Sequence, residues 1–193
     1  MSVKPILFNT EMVRGILDGR KTCTRRKIPV DIVYFCDIDH DGELLAYENS
    51  YGDFIAPERL CRYQPGDILY VRETWKKALN GYYYYEDWQR NDIADITKWK
   101  PSIHMPKEAA RIWLKVKDVR VERLQDIDID GIRNEGLPSM AVHAGDMEIA
   151  FKEWETLWNK IIKKSDLDRY GWDANPYVWV IEFERCEEPG KGE

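Results

Sequence analysis

The sequence predicts an α+β fold in a single domain, on three observations. Residues 146–164 repeat their apolar side chains at helical spacing. A series of shorter segments alternates, or runs apolar, at strand length. The chain, at 193 residues, buries a real core without disulfides or metals and is too short to divide comfortably into two ordinary domains. The domain is expected to span 1–186, with a polar, Gly- and Pro-containing tail at 187–193 read as flexible.

Taken in order, Lys4 to Phe8 reads as a strand. Thr10 is placed to cap a helix whose Met12, Val13, Ile16 and Leu17 form one apolar stripe, and Gly19 supplies a left-handed stop. Thr22 to Ile28 looks extended. Ile32 to Cys36 and Leu44 to Tyr47 flank an Asp-His-Asp-Gly turn and read as a hairpin. The Gln64-Pro65-Gly66-Asp67 turn launches Ile68 to Trp75, whose alternation puts Leu69, Val71, Glu73 and Trp75 on one face. Tyr82 to Tyr85 reads as a strand, and 91–100 as irregular. Arg111 to Val121 is a long strand with a change of parity, since Ile112, Leu114 and Val116 keep one phase while Val119 and Val121 take the other. A bulge near Lys117 or Asp118 reconciles them. Asp146 caps the clearest helix, which carries Phe151, Trp154, Leu157, Trp158, Ile161 and Ile162 through to Lys164. Tyr177 to Phe183 is an almost continuously apolar strand of the kind covered on both faces.

Composition narrows the function. Apolar content of 44% and charged content of 33% are those of a soluble globular chain. No apolar run reaches membrane-spanning length, and Met1-Ser2-Val3-Lys4-Pro5 lacks the apolar core of a signal peptide, so a cytosolic protein with no membrane partner is expected. Cys23, Cys36, Cys61 and Cys186 show no paired spacing and read as four free thiols, with no metal and no cofactor. Net charge is −6, so any contact with nucleic acid must be local. One such locality exists: Arg14, Arg20, Lys21, Arg25, Arg26 and Lys27 face only Asp18 in sequence, six positive charges to one negative.

Gly19-Arg20-Lys21-Thr22-Cys23-Thr24-Arg25-Arg26 resembles the ASCH signature G-x-K-x-x-E-x-R, with Gly19, Lys21 and Arg26 matching and Thr24 in place of the glutamate. The Pro-Gly-Asp turn into Val71-Arg72-Glu73-Thr74-Trp75 and the closing strand Val178 to Phe183 are similar to the same family, and Pro101-Ser102-Ile103-His104-Met105-Pro106 is similar to its longer, phage-type members. The resemblance implies a PUA-like β pseudobarrel with flanking helices, and a role tied to RNA or modified nucleosides. One branch hydrolyses the amide of N4-acetylcytidine with a lysine, a threonine three positions later and a glutamate on a later strand; Lys21, Thr24 and Glu73 occupy the matching positions. This chain is longer than those compact hydrolases, with insertions at roughly 30–62, 77–107 and 126–174.

The chemistry is self-consistent. Lys21 serves as general base, Thr24 attacks the acyl carbon, and Glu73, among apolar neighbours, protonates the leaving amine. Residues 21 and 24 point to opposite faces of a regular strand, so the scheme requires a turn or bulge between them. Cys23 reads as a small buried thiol rather than the nucleophile. A second reading is RNA or nucleotide binding without turnover, or with ribonuclease activity, in which Arg25 and Arg26 hold phosphate, Trp75 stacks a base, and Ser102 and His104 contact the substrate. The plainest reading makes the basic run a solvated patch, Thr24 an ordinary strand residue and Glu73 the partner of an arginine. Asp37-Ile38-Asp39-His40-Asp41-Gly42 with Glu48 fits the EF-hand loop pattern, but the β-like flank predicts a hairpin with an acidic turn instead. A second partial match, at Asp126, Asp128, Asp130 and Gly131, lacks the closing carboxylate. The oligomeric state is left open.

Overall fold

The structure is a computed structural model that describes residues 2–29, 36–38, 44–48, 54–89 and 98–190. Its centre is the strand β10 (Tyr177–Cys186). Tyr177, Trp179, Ile181 and Phe183 enter one core with Ile6, Phe8, Leu69, Val71 and Leu114. Val178 and Val180 enter a second, with Leu124, Ile132, Trp154 and Trp158. Both faces of the apolar run are therefore covered, as its composition predicts.

Around β10 the five-stranded sheet runs β1-β6-β9-β10-β2, with β1 at Val3–Leu7, β2 at Cys23–Lys27, β6 at Ile68–Arg72 and β9 at Trp113–Arg123. β1 pairs with β6 in parallel, and the other neighbours are antiparallel. The parity change in β9 is a bulge: Glu182 faces Asp118 while Phe183 faces Val116, so Lys117 is the extra residue.

The two edge strands of this sheet come together. Arg26 of β2 donates to the Leu7 carbonyl of β1 at 3.0 Å. A flat sheet would hold those edges about 19 Å apart, four strand spacings of roughly 4.8 Å, beyond the reach of an arginine side chain. The sheet therefore curls on itself into a pseudobarrel.

Helix α1 (Thr10–Leu17) starts one residue earlier than the sequence suggests. Asn9, extended, accepts from the Met12 amide at 2.8 Å and is the cap, and Thr10 is the first helical residue. Gly19 takes the left-handed conformation at φ +75° and ends the turn. Two short helices, α2 (Pro57–Leu60) and α3 (Tyr85–Gln89), precede α4 (Ile129–Asn134), α5 (Met140–Ala144), α6 (Met147–Ile161) and α7 (Leu167–Tyr170). Asp146 caps α6 as expected, and Trp154 and Trp158 pack it on the Val178 and Val180 face of β10. The helix ends at Ile161 because Ile162 turns extended, at ψ 139°.

The expected hairpin at residues 32–47 is present as β3 (Cys36–Ile38) antiparallel to β4 (Leu44–Glu48), with β5 (Phe54–Ile55) on its other side. Its turn at 39–43 and the expected strand residues 32–35 lie outside the described residues, and so do His40 and the middle of the calcium-loop pattern. The segment Ile68 to Trp75 keeps its alternation, with Leu69, Val71, Glu73 and Trp75 all buried. It breaks, however, at Glu73 and Thr74 before β7 (Trp75–Ala78) pairs with β8 (Gly81–Tyr84). Tyr85 begins α3 rather than ending the strand. No helix among the described residues is long and apolar enough to cross a membrane. Cys23, Cys61 and Cys186 are free.

Candidate functional site

Lys21 follows the Gly19 turn, where the amides of Arg20 and Lys21 both donate to the Gly15 carbonyl at 2.8 and 3.0 Å. Its stem lies in a slot made by two glycines: a Cβ on Gly15 would stand 3.3 Å from the Lys21 Cβ, and one on Gly136 only 2.7 Å. Gly136 also holds φ +81°, a region closed to most side chains. At the end of the slot the ammonium, fully buried, donates to the Glu135 carbonyl at 2.9 Å and to its Oε2 at 2.7 Å.

Glu135 is the residue that sequence reading missed. Its other oxygen accepts from the Arg25 backbone amide at 2.7 Å and lies 3.4 Å from the Arg25 guanidinium, whose Nη2 reaches Glu122 at 3.1 Å. A carboxylate at the end of α4 thus neutralises two buried cations 110 and 114 positions away. The only local signal is its place before a glycine at a helix end, which thousands of unremarkable glutamates share.

On β2 the strand alternation separates the remaining candidates. Thr24 lies opposite Ile181 and Arg26 opposite Trp179, and both partners belong to the barrel core that contains Phe8. The Lys21 ammonium sits over the Phe8 ring at 5.5 Å, and Arg26 lies 5.4 Å from the same ring. Lys21 precedes β2, and the break at Thr22, whose amide donates to the Asn134 carbonyl at 2.8 Å, lets its side chain reach the face that Thr24 occupies.

Glu73 follows the end of β6. The parallel register closes at Leu7↔Arg72, and the Phe8 amide donates to the Arg72 carbonyl at 3.4 Å. Glu73 is 2% exposed and its carboxylate is held bidentately by Arg111 at 2.9 and 2.9 Å, while Arg111 also grips Asp87 at 2.7 Å and stacks 4.1 Å from the Tyr84 ring. Burial pushes the Glu73 carboxyl above the ordinary carboxylate range. Arg111 pulls it back, and Asp87 and Glu86 add lesser upward pushes.

The other candidates are spread around this group. Arg25 is buried and matched by Glu135 and Glu122. Trp75 is 5% exposed and packs with Met105 and Ala109, beneath Lys100 at 5.0 Å. Ser102 is half-buried and His104 exposed, in a short turn that ends at Met105. Met105 Sδ accepts from the Glu73 amide at 3.2 Å and its carbonyl from Arg72 at 2.8 Å, which ties that turn to the site. The basic run is not a solvated patch, because Lys21 and Arg25 are buried in ion pairs, while Arg14 pairs with Glu86 and Lys27 with Asp166. Burial, with Glu135 adding to it, pushes the Cys23 thiol up to about 12, which leaves it protonated and unreactive. Asp128 caps α4 and Asp130 pairs with Arg133, so both are occupied as helix-end residues.

No protein-family model matches the chain, and no curated protein matches it. Solved structures similar to it include the following. Hypothetical protein PH0355 aligns over 96% of this chain and 100% of its own, at 14% identity and a TM-score of 0.43. An ASCH domain from Lactobacillus crispatus JV V101 aligns over 95% of this chain and 79% of its own, at 12% identity and 0.41. Protein EF3133 from Enterococcus faecalis V583 aligns over 96% and 76%, at 12% identity and 0.42.

Proposed function

We propose that the protein acts on a nucleoside or RNA-derived substrate and hydrolyses the exocyclic amide of an N4-acylated cytidine or a related modified nucleoside. The observation that supports this reading is the burial of all three side chains, with Lys21 over the Phe8 ring, Thr24 facing the core that contains Phe8, and Glu73 following the strand paired with β1. Thr24 adds to the acyl carbon and its hydroxyl proton passes to Lys21, which first hands a proton to the Glu135 carboxylate 2.7 Å away. Glu73, whose carboxyl burial pushes upward against the pull of Arg111, protonates the departing amine. Water then hydrolyses the threonyl ester. The surroundings are dry, so charges developing there are weakly screened.

The test is release of cytidine from N4-acetylcytidine by wild type, Thr24→Val and Glu73→Gln. Loss of turnover in both, with native folding retained, supports the assignment. Because the acid must be protonated, wild-type turnover is expected to fall as pH rises through the raised Glu73 pKa. No turnover by folded wild type sinks this reaction for that substrate.

Binding without turnover is the second reading. It is favoured by a specific feature, the full commitment of Lys21 to Glu135 and of Glu73 to Arg111.

A further inference from the structure

Where the barrel edges meet, a pocket of about 260 Å³ opens between Pro5, Leu7, Arg26, Arg62, Tyr63 and Arg72. Three of its six lining residues are arginines and none is acidic. Each guanidinium is held from behind by something uncharged. Arg26 donates to the Leu7 carbonyl at 3.0 Å, Arg72 donates through Nε to the Met105 carbonyl at 2.8 Å, and Arg62 lies 5.8 Å from the Tyr63 ring. Tyr63 in turn donates to the Pro5 carbonyl at 3.0 Å, which fixes the pocket wall on the free edge of β1. Among the described residues no carboxylate pairs with any of the three, and their remaining N–H groups have no partner. By contrast Arg14, Arg25, Arg111 and Arg120 all close on carboxylates, and the chain carries a net charge of −6.

Cations brought to one pocket without counter-charge repel one another, and the part-buried Arg26 and Arg72 also lose hydration. Burial pulls the Arg26 guanidinium below its ordinary value, with Tyr63 and Glu135 pushing back. A ligand that brings several acceptor oxygens and negative charge relieves both costs, and arginine forks fit phosphoryl oxygens bidentately.

We propose that the seam pocket formed by Arg26, Arg62 and Arg72 is a phosphate-binding site, so that a phosphorylated nucleotide or an RNA strand is held more tightly than the corresponding free nucleoside. Arg25, next to Arg26 in sequence, takes no part, because its charge is already matched on the other face of the sheet. The site holds phosphate whether or not an amide is cleaved nearby.

Calorimetric titration at low salt with cytidine, 5′-CMP and a six-residue cytidine oligoribonucleotide tests this. 5′-CMP binding at least tenfold more tightly than cytidine identifies a mononucleotide phosphate. Oligonucleotide binding with a steep salt dependence, and none by 5′-CMP, identifies the RNA backbone. In either case Arg62→Ala, at an exposed position, and Arg72→Gln are each expected to weaken the phosphate-bearing probe about tenfold or more. Lys152→Ala, which removes an exposed positive charge from α6 outside the pocket, is expected to leave that affinity unchanged. Failure of wild type to bind either phosphate-bearing probe, or equal affinity in wild type and folded Arg62→Ala, overturns the proposal.

Discussion

Arg25 and Arg26 are consecutive on β2, yet one guanidinium is sealed between Glu135 and Glu122 while the other lines an open seam beside Arg62 and Arg72. Strand alternation sends the two to opposite faces. On the first face, the end of α4 delivers a carboxylate that also serves Lys21. On the second, the lining of the pocket contains no carboxylate. A run of basic residues in a strand is therefore two populations. The first is structural because its charge is cancelled, and the second is available because its charge is not.

The sharpest way to break this contrast is to remove the carboxylate from the matched side. Glu135→Ala leaves two buried cations without a partner and is expected to cost roughly 3–5 kcal/mol, read as a lower urea midpoint; a change below about 1 kcal/mol would mean that the buried pairs do not hold this region. Gly136→Ala acts on the same slot without touching charge. With φ +81° and a Cβ 2.7 Å from that of Lys21, it is expected to destabilise by roughly 2–3 kcal/mol, measured in the same way.

A second matched pair, far from the site, tests whether pairing of this kind contributes to stability. Burial pushes the Asp67 carboxyl up, but hydrogen bonds from Lys4 at 2.6 Å, from Ser2 and from the Gln64 amide outweigh it and hold the group at about 2. The folded value is depressed below the unfolded one of 3.8, so the contribution, about 2 kcal/mol, is complete above pH ~4 and lost as pH falls through about 2. Asp67→Asn is expected to lower stability at neutral pH and to converge on wild type in acid; parallel curves would disprove the linkage. The smallest effect on folding belongs to the unmatched side. Arg62→Ala is expected to shift stability by less than about 0.5 kcal/mol in urea titration, while still costing phosphate affinity.

Much of the scaffold was legible in the residues themselves. The apolar run from Tyr177, the helical repeat from Asp146, the Pro65-Gly66 turn and the parity change at Lys117 are local patterns with local physical causes. They led to a central strand covered on both faces, a capped helix, a turn and a bulge. The helix cap was misplaced by one residue because Asn9 and Thr10 are both competent and the better acceptor won. Lys21, Thr24 and Glu73 stand out in two separated segments; the structure sets Lys21 over the Phe8 ring, Thr24 opposite Ile181 and Glu73 against Arg111.

Which residues bury, which alternate and where the chain turns follow from side chains a few positions apart, and so are written in chain order. Which charges cancel was decided only by the tertiary structure. Glu135 meets Lys21 and Arg25, Glu73 meets Arg111, and Arg26, Arg62 and Arg72 line one pocket at a seam that exists only once the sheet has curled. Electrostatic partnership depends on distance in space and on the water removed between groups, and chain order records neither.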